Sequence, residues 1–533
     1  MCSRILFCMM LSFQLIAAPT TLNTMSGQTE DLLELKSLNE KKIDLLLTLE
    51  KSKQAELNLI QYSKKKPRAN KSTYPLRLSS DDGKNYLDFH ARVEADQDIF
   101  YNIEGLDIYS GLSVKPMYRQ NTVDRFWANH ISPILLAHLD DHIIAYYVPD
   151  FGLQQFRVFD AYVETHYTRQ LNFQMGKQKD IVGGLENLLR YDYNHLMYPS
   201  FPYMLAPNRE IGFYVYGALG ANRYAVAKEM NDYGFNDAIS YQLGMAEGAA
   251  DNDSPGLIPT VRFGSFNITR RPKESLNNKS IEARLFFNPF INNNIFLKNL
   301  GLGISGSLVN VNNQFDMPAI LSLGVNPIFS YNFFTVANGP RVRIHPQMLW
   351  YNDSFGLYAE WVQSSQYLTI GPVVQNQLYN KIYQRNQASQ IQVAYNLTHE
   401  KFNFDGVKPN NNFRPFESGA YGAWQVICRL SKLIIDPSSF SPILFDGIAL
   451  QMSSPMTSVQ QALGLTIGLN WRWNDYMSVM MEYDHTQYVG GCSTGALDPK
   501  TNAYPGCITG NPGGSIINRP SEKVFMQRLK FVF

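Results

Sequence analysis

The sequence predicts an all-β transmembrane protein, an antiparallel outer-membrane β-barrel of about sixteen strands with an N-terminal periplasmic helix or coiled coil. Two observations predict the barrel. Segments of about ten residues alternate between apolar and polar side chains, as strands between lipid and a wet lumen do. The chain also ends on such a segment, residues 522–533, in which Phe525, Leu529 and Phe531 lie opposite Arg528 and Lys530.

Composition excludes other classes. The chain has 533 residues and is 13% aromatic, yet its mean hydropathy is only −0.23. Beyond the N-terminus it has no run of about 18 apolar residues, which argues against membrane-spanning helices. The net charge of +1 lacks the excess of basic residues that is typical of proteins that bind nucleic acids.

The N-terminus predicts export. Residues 1–26 are interpreted as a signal peptide, because Arg4 precedes the apolar run 5–17. Two cleavage positions stay open, one after Ala18, which Pro19 follows, and one near Ser26.

Residues 29–63 predict a helix. Apolar pairs recur two heptads apart, but Glu50 and Lys53 occupy the positions between them. A short trimeric coiled coil is favoured over a single amphipathic helix. Residues 64–84 are interpreted as a solvated linker, because three lysines precede Pro67, which ends the helix.

Residues 85–533 predict the barrel. In the first strand, Leu87, Phe89 and Ala91 alternate with ionisable residues such as Asp88 and Arg92. A row of ionisable side chains is a costly way to build a dry core, so this face is predicted to line a wide lumen.

The connections alternate in length. Tight turns are predicted at 139–141, 167–170, 352–355 and 474–475. Long loops are predicted at 98–120, 179–207, 248–278, 311–338, 365–387, 432–460 and 486–520. The pattern gives about sixteen strands with both barrel ends in the periplasm. Residues 400–418 fall where a turn is due, and we interpret them as an ordered periplasmic loop.

Several blocks resemble the phosphate-selective porin family, the O and P type, of bacterial outer-membrane porins. There are three such blocks. The first is Asp160, Ala161 and Tyr162 followed by residues 173–177, and the second is residues 205–212. The third is residues 395–400 followed by residues 422–425 and Arg429. The terminal Phe533 is similar to the C-terminal signature of outer-membrane barrels. His399 and Gln425 depart from the family, which usually has Gly and Glu there. The resemblance implies a trimeric barrel of 16 strands in the bacterial cell outer membrane, with anions passing basic residues of the lumen.

Strand parity assigns charged residues to the lumen. The basic candidates are Arg92, Arg284, Arg341, Arg343, Arg429, Arg472, Arg528 and Lys530. The acidic candidates are Glu94, Asp160, Glu164, Glu282, Glu360 and Glu482, with Asp88 and Asp484 of the same parity. Because the two sets are similar in size, the net field is weak and at most a modest anion or phosphate preference is expected. The densest basic patch, Arg341, Arg343 and His345, is equally well interpreted as charge-balanced wall.

The loop 179–207 is predicted to fold into the lumen as the constriction, since its aromatic content is unfavourable on an open surface. The residues singled out are Tyr191, Tyr193, Tyr198 and Tyr203. A subunit-contact loop is the alternative.

Two cysteines, Cys492 and Cys507, bracket a loop rich in turn-forming residues and predict a disulfide in an oxidising compartment. No metal site or cofactor is predicted, and no nucleotide-binding or hydrolase motif indicates an enzyme.

Two functions follow from these observations. The first is a passive channel for small hydrophilic solutes and ions. The alternative is a plugged barrel with a structural or adhesive role. The expected partners are the outer membrane, two further copies in a homotrimer, and small solutes, with no nucleic acid.

Overall fold

A computed structural model describes residues 76–101, 125–140, 142–154, 156–188, 196–221, 237–248, 261–263, 266–268, 279–293, 295–314, 317–332, 335–370, 381–402, 407–445, 448–491 and 518–533. Contacts divide the chain into Met1–Thr73 and Tyr74–Phe533. The predicted signal peptide 1–26 and helix 29–63 lie outside the described residues. No helix among the described residues is long and apolar enough to cross a membrane.

Sixteen antiparallel strands form one closed barrel, which confirms the predicted fold class. The strands are β2 (Tyr86–Tyr101), β3 (Arg125–Leu139), β4 (Ile143–Asp150), β5 (Arg157–Thr165), β6 (Asn172–Lys179), β7 (Arg209–Ala221), β8 (Asp237–Ala246), β11 (Ser280–Phe287), β12 (Gly301–Gln314), β15 (Thr335–Asn352), β16 (Phe355–Ile370), β17 (Ile382–Asn396), β18 (Ala423–Ile434), β21 (Val459–Arg472), β22 (Met477–Gly490) and β23 (Glu522–Val532). The barrel closes where β2 pairs with β23, with Ala95 opposite Leu529. Closure leaves no unpaired sheet edge, which a strand in lipid cannot tolerate.

The barrel has polar side chains inside and apolar side chains outside. On β11, Ile281 and Leu285 are 65% and 49% exposed, whereas Glu282 and Arg284 between them are 1% and 2% exposed. The first part of β12 repeats the pattern, with Leu302, Ile304 and Leu308 exposed and Ser305 and Ser307 buried. This distribution of polar and apolar side chains is the reverse of that in a soluble protein, and it is favourable only when the outer face contacts lipid.

The predicted tight turns are confirmed. Asp140 and Asp353 have positive φ angles of 51° and 46°, in the left-handed region that Asp tolerates better than most residues. The predicted ordered loop at 400–418 also has fixed contacts. Phe413 donates its N–H to the carbonyl of Trp473, and the Phe402 ring packs inside against Ala394 and Ile427.

The predicted linker 64–84 is wrong in part, because Leu76–Ser79 form a strand, β1, that pairs with the start of β2. Arg77 of β1 forms an ion pair of 2.5 Å with Asp88. Gly83, with a φ angle of +66°, allows the turn between the strands. The segment is therefore held by a contact with the barrel wall rather than by local propensity.

Several predicted loop bounds are also wrong, because the strands reach further than the alternation indicated. β15 begins at Thr335 within the predicted loop 311–338, and β16 and β17 extend into the predicted loop 365–387. Three long connections contain short hairpins of their own. These are β9 (Val261–Phe263) with β10 (Phe266–Ile268), β13 (Ile320–Leu321) with β14 (Pro327–Phe329), and β19 (Ile443–Phe445) with β20 (Ile448–Leu450).

Candidate pore and the segments inside it

The connection between β6 and β7, residues 180–208, lies inside the barrel, and we call it the inward segment. Residues 180–188 and 196–208 of it are described. These described residues contain two five-residue helices, α1 (Gly184–Leu188) and α2 (Phe201–Leu205). Leu185, Phe201 and Leu205 have no exposed surface. Such apolar helices have no stable place in water, so the lumen is where the segment can bury them.

The inward segment reaches the wall opposite its origin. The backbone N–H groups of Leu185 and Glu186 donate to the carboxylate of Glu360 on β16. The N–H of Met197 donates to Glu482 on β22. Two acidic residues that parity placed in the lumen therefore accept hydrogen bonds from this segment.

Arg429 shows how the segment covers the wall. Its guanidinium donates to the carbonyl of Tyr198 at 2.9 Å and to the carboxylate of Glu186 at 3.3 Å. Arg429 has no exposed surface. Parity predicted its face correctly, but the expectation that it lines open water is wrong, because the inward segment lies over it.

An apolar cluster fills part of the barrel on the β16–β18 side. Leu205 of the inward segment and Leu321 and Phe329 of the β13–β14 hairpin pack on Val362 and Leu433 of the wall. The sequence reasoning missed this cluster. Its signal was available: Val362 and Leu433 are apolar residues on the polar side of their strands.

Two glycines on the lumen face of β21 make room for the packed segments. A Cβ on Gly464 would lie 2.3 Å from a methyl carbon of Leu323, and one on Gly468 would lie 2.5 Å from a methyl carbon of Leu196. A side chain at either position would displace the leucine that packs there.

The lumen face at β2 and β23 carries paired charged side chains. On β23, Arg528 bonds both carboxylate oxygens of Asp96 at 2.7 Å and lies 3.1 Å from Glu94. Arg92 bonds Glu94 at 2.9 Å, and Lys530 lies 3.8 Å from it. These basic groups on β2 and β23 therefore all face carboxylates.

A similar pairing continues on β5 and β7. Arg209 bonds Asp160 at 2.9 Å, and the hydroxyl of Tyr216 donates to Glu164 at 3.2 Å.

The hydroxyl of Tyr198, on the inward segment, lies 3.3 Å from Asp98 and 3.4 Å from Asp96. The predicted constriction residue Tyr198 is therefore placed against the charged wall.

The remaining predicted residues divide into three groups. Arg284 and the patch Arg341, Arg343 and His345 are buried on the lumen face. Nδ1 of His345 lies 2.9 Å from the carbonyl oxygen of Val182, so the inward segment contacts the patch at His345. Arg472 and Tyr203 are half-buried, Arg472 at the end of β21. Tyr191, Tyr193, Cys492 and Cys507 lie outside the described residues.

The sequence model of the family described as phosphate-selective porin O and P matches residues 322–502. The matched region runs from the β13–β14 hairpin through β22 and contains much of the wall under the apolar cluster. Over these residues the chain resembles the bacterial outer-membrane porins that the family model describes. The match confirms the resemblance to this family, and the block formed by 395–400, 422–425 and Arg429 lies within the matched residues. A porin is a channel, and the absence of enzymatic activity stays a prediction.

Several solved structures of outer-membrane proteins are similar to the chain at low identity. Vibrio cholerae OmpT expressed in the outer membrane has a TM-score of 0.45 at 8% identity, over 86% of this chain and 100% of its own. The outer-membrane channel DcaP of Acinetobacter baumannii has 0.45 at 9%, over 86% and 99%. The anion-selective porin from Comamonas acidovorans has 0.41 at 8%, over 84% and 100%. No curated protein matches the sequence.

Proposed function

We propose that the porin is a passive diffusion channel for small hydrophilic solutes and ions, narrowed by the inward segment. The observation that carries this proposal is the span of that segment. It starts between β6 and β7 and bonds to Glu360, Arg429 and Glu482 on the opposite wall. A segment held at both ends across the lumen reduces the open cross-section.

The distribution of side chains supports a route along the charged wall. The apolar cluster packs against β16–β18 and β21 and excludes water there. The basic residues Arg92, Arg209, Arg528 and Lys530 lie on the lumen faces of β2, β7 and β23, each beside a carboxylate. Paired charges of opposite sign produce a weak net field, so we propose at most a modest anion preference.

A second candidate, a plugged barrel with a structural or adhesive role, is favoured by the apolar cluster itself. Leu205, Phe329 and Leu433 pack together as they would in a soluble core. Protein interiors packed in this way have few voids larger than water. If the packing extends across the whole lumen, no solute passes.

Planar-bilayer recording distinguishes the two. For the channel, we expect discrete conductance steps and, under a potassium chloride gradient, a reversal potential well below the limit for a perfectly anion-selective pore. Lys530→Gln, inside the barrel, should shift that potential towards cation selectivity. Lys432→Gln, exposed on the outer face of β18, is the matched control and should not. Folded protein without conductance would favour the plugged barrel.

We also propose a homotrimer that residues 29–63 stabilise, supported by their apolar pairs two heptads apart. Deleting these residues is expected to lower the temperature at which trimers dissociate, because a coiled coil contributes interface area that the barrel does not. The barrel should still fold, as checked by its heat-dependent gel mobility. Intact protein that is entirely monomeric in mild detergent contradicts the proposal.

A further inference from the structure

We propose that Asp180, Glu210 and Glu282 bind a divalent cation of the calcium type, which holds the start of the inward segment against the barrel wall. The site is independent of the channel function proposed above. It assigns a ligand to three carboxylates that the permeation route does not use.

The three carboxylates converge from distant parts of the chain. One oxygen from each lies within 4.8 Å of the other two. Asp180 is the first residue of the inward segment, Glu210 lies on β7 and Glu282 on β11. Their exposed fractions are 0%, 3% and 1%. Calcium binds oxygens at about 2.3–2.6 Å, so oxygens on different sides of the ion lie up to about 5 Å apart.

Each carboxylate is oriented by a donor of the protein. The N–H of Val182 donates to Oδ1 of Asp180 at 2.6 Å. The hydroxyl of Tyr214 donates to Oε2 of Glu282 at 2.9 Å, and the N–H of Gly248 donates to Oε2 of Glu210 at 2.6 Å. Hydrogen bonds of this kind are typical of the outer shell that orients metal ligands.

The second oxygens of two of these residues point to a ligand. Oδ2 of Asp180 and Oε1 of Glu282 are fully buried and have no hydrogen-bond partner among the described residues. A buried carboxylate oxygen without a hydrogen-bond donor has lost its hydrogen bonds to water, and no protein group replaces them, so its burial is unfavourable. A cation supplies the missing interaction to both oxygens at once.

Gln178 adds an independent observation. It is 2% exposed and lies directly opposite Glu210 in the β6–β7 register, so both side chains share the lumen face. Neither its amide oxygen nor its amide nitrogen has a hydrogen-bond partner among the described residues. The amide oxygen is a suitable further ligand for a hard cation, with water completing the shell.

The charge of the cluster also favours a cation. Three ionised carboxylates this close together in a buried site repel one another, and a cation bound between them removes this repulsion. The alternative to a metal ion is protonation of the carboxyl groups.

Calcium binding to the full chain tests the site. The protein is refolded in detergent without lipopolysaccharide, which itself binds calcium, and stripped with a chelator. Equilibrium dialysis with radioactive calcium, at free concentrations of up to about 1 mM, should show one saturable site per chain. The upper concentration corresponds to the weakest dissociation constants of extracellular calcium sites. Asp180→Asn and Glu282→Gln should each weaken binding by at least about tenfold, because they remove ligand charge.

The matched control is Glu360→Gln, which removes a buried carboxylate that contacts the same inward segment outside the cluster. It should keep the site. Thermal unfolding of the wild type, with calcium against chelator, gives a readout that needs no variant. Calcium should raise the melting temperature. Wild-type protein that binds no more calcium than the two variants, with an unchanged melting temperature, means that the carboxyls hold protons and overturns the proposal.

Discussion

Replacing residues 185–205 by a short glycine–serine linker is expected to raise the single-channel conductance several-fold. These residues include α2, all of α1 except Gly184, and the groups that contact Glu360, Glu482 and Arg429. Conductance depends on the narrowest cross-section of the water-filled path, and this change removes the chain that crosses the lumen. Planar-bilayer recordings of the variant and the wild type measure the effect.

The control places the same linker at residues 371–380, between β16 and β17. The contacts described for the inward segment are with Glu360, Arg429 and Glu482, which this variant keeps. Its conductance should equal that of the wild type. Both variants must first show the heat-dependent gel mobility of a folded barrel. If the linker at 185–205 leaves the conductance of a folded barrel unchanged, the inward segment is not the constriction.

Replacing Arg528 by Met is expected to lower the free energy of unfolding by about 3–5 kcal/mol. Arg528 sits at the seam where the first and last barrel strands pair, opposite Asp96 in register. Its guanidinium bonds Asp96 and lies beside Glu94, and both carboxylates are buried. Removing the cation leaves these buried negative charges with less compensation. Urea-induced unfolding in lipid vesicles measures the loss.

Two further variants test whether the loss in unfolding free energy comes from the ion pair at the seam or from removing any positive charge. Arg414→Met breaks an exposed ion pair with Glu417, so it should cost only about 0–1 kcal/mol. The double variant Arg528→Met with Asp96→Asn should recover part of the loss, because one uncompensated charge is gone. A loss below about 1 kcal/mol for Arg528→Met would show that the seam does not depend on this ion pair.

The sequence by itself determined the wall of the barrel. Alternation placed Ile281 and Leu285 towards lipid and Glu282 and Arg284 towards the lumen, and the structure has them there. This succeeds because the faces of a strand follow a period of two, which is local information. The tight turns were equally local, since a pattern change and a few turn-forming residues mark them.

Only the tertiary structure decided what covers each lumen residue. Parity assigns Arg429 to the inner face, but the carbonyl of Tyr198 and the carboxylate of Glu186, more than two hundred positions earlier, bury it there. The same holds for the apolar cluster and for the carboxylates of Asp180, Glu210 and Glu282. A strand pattern states which face a side chain occupies, whereas the partner on that face depends on how separate segments pack in three dimensions.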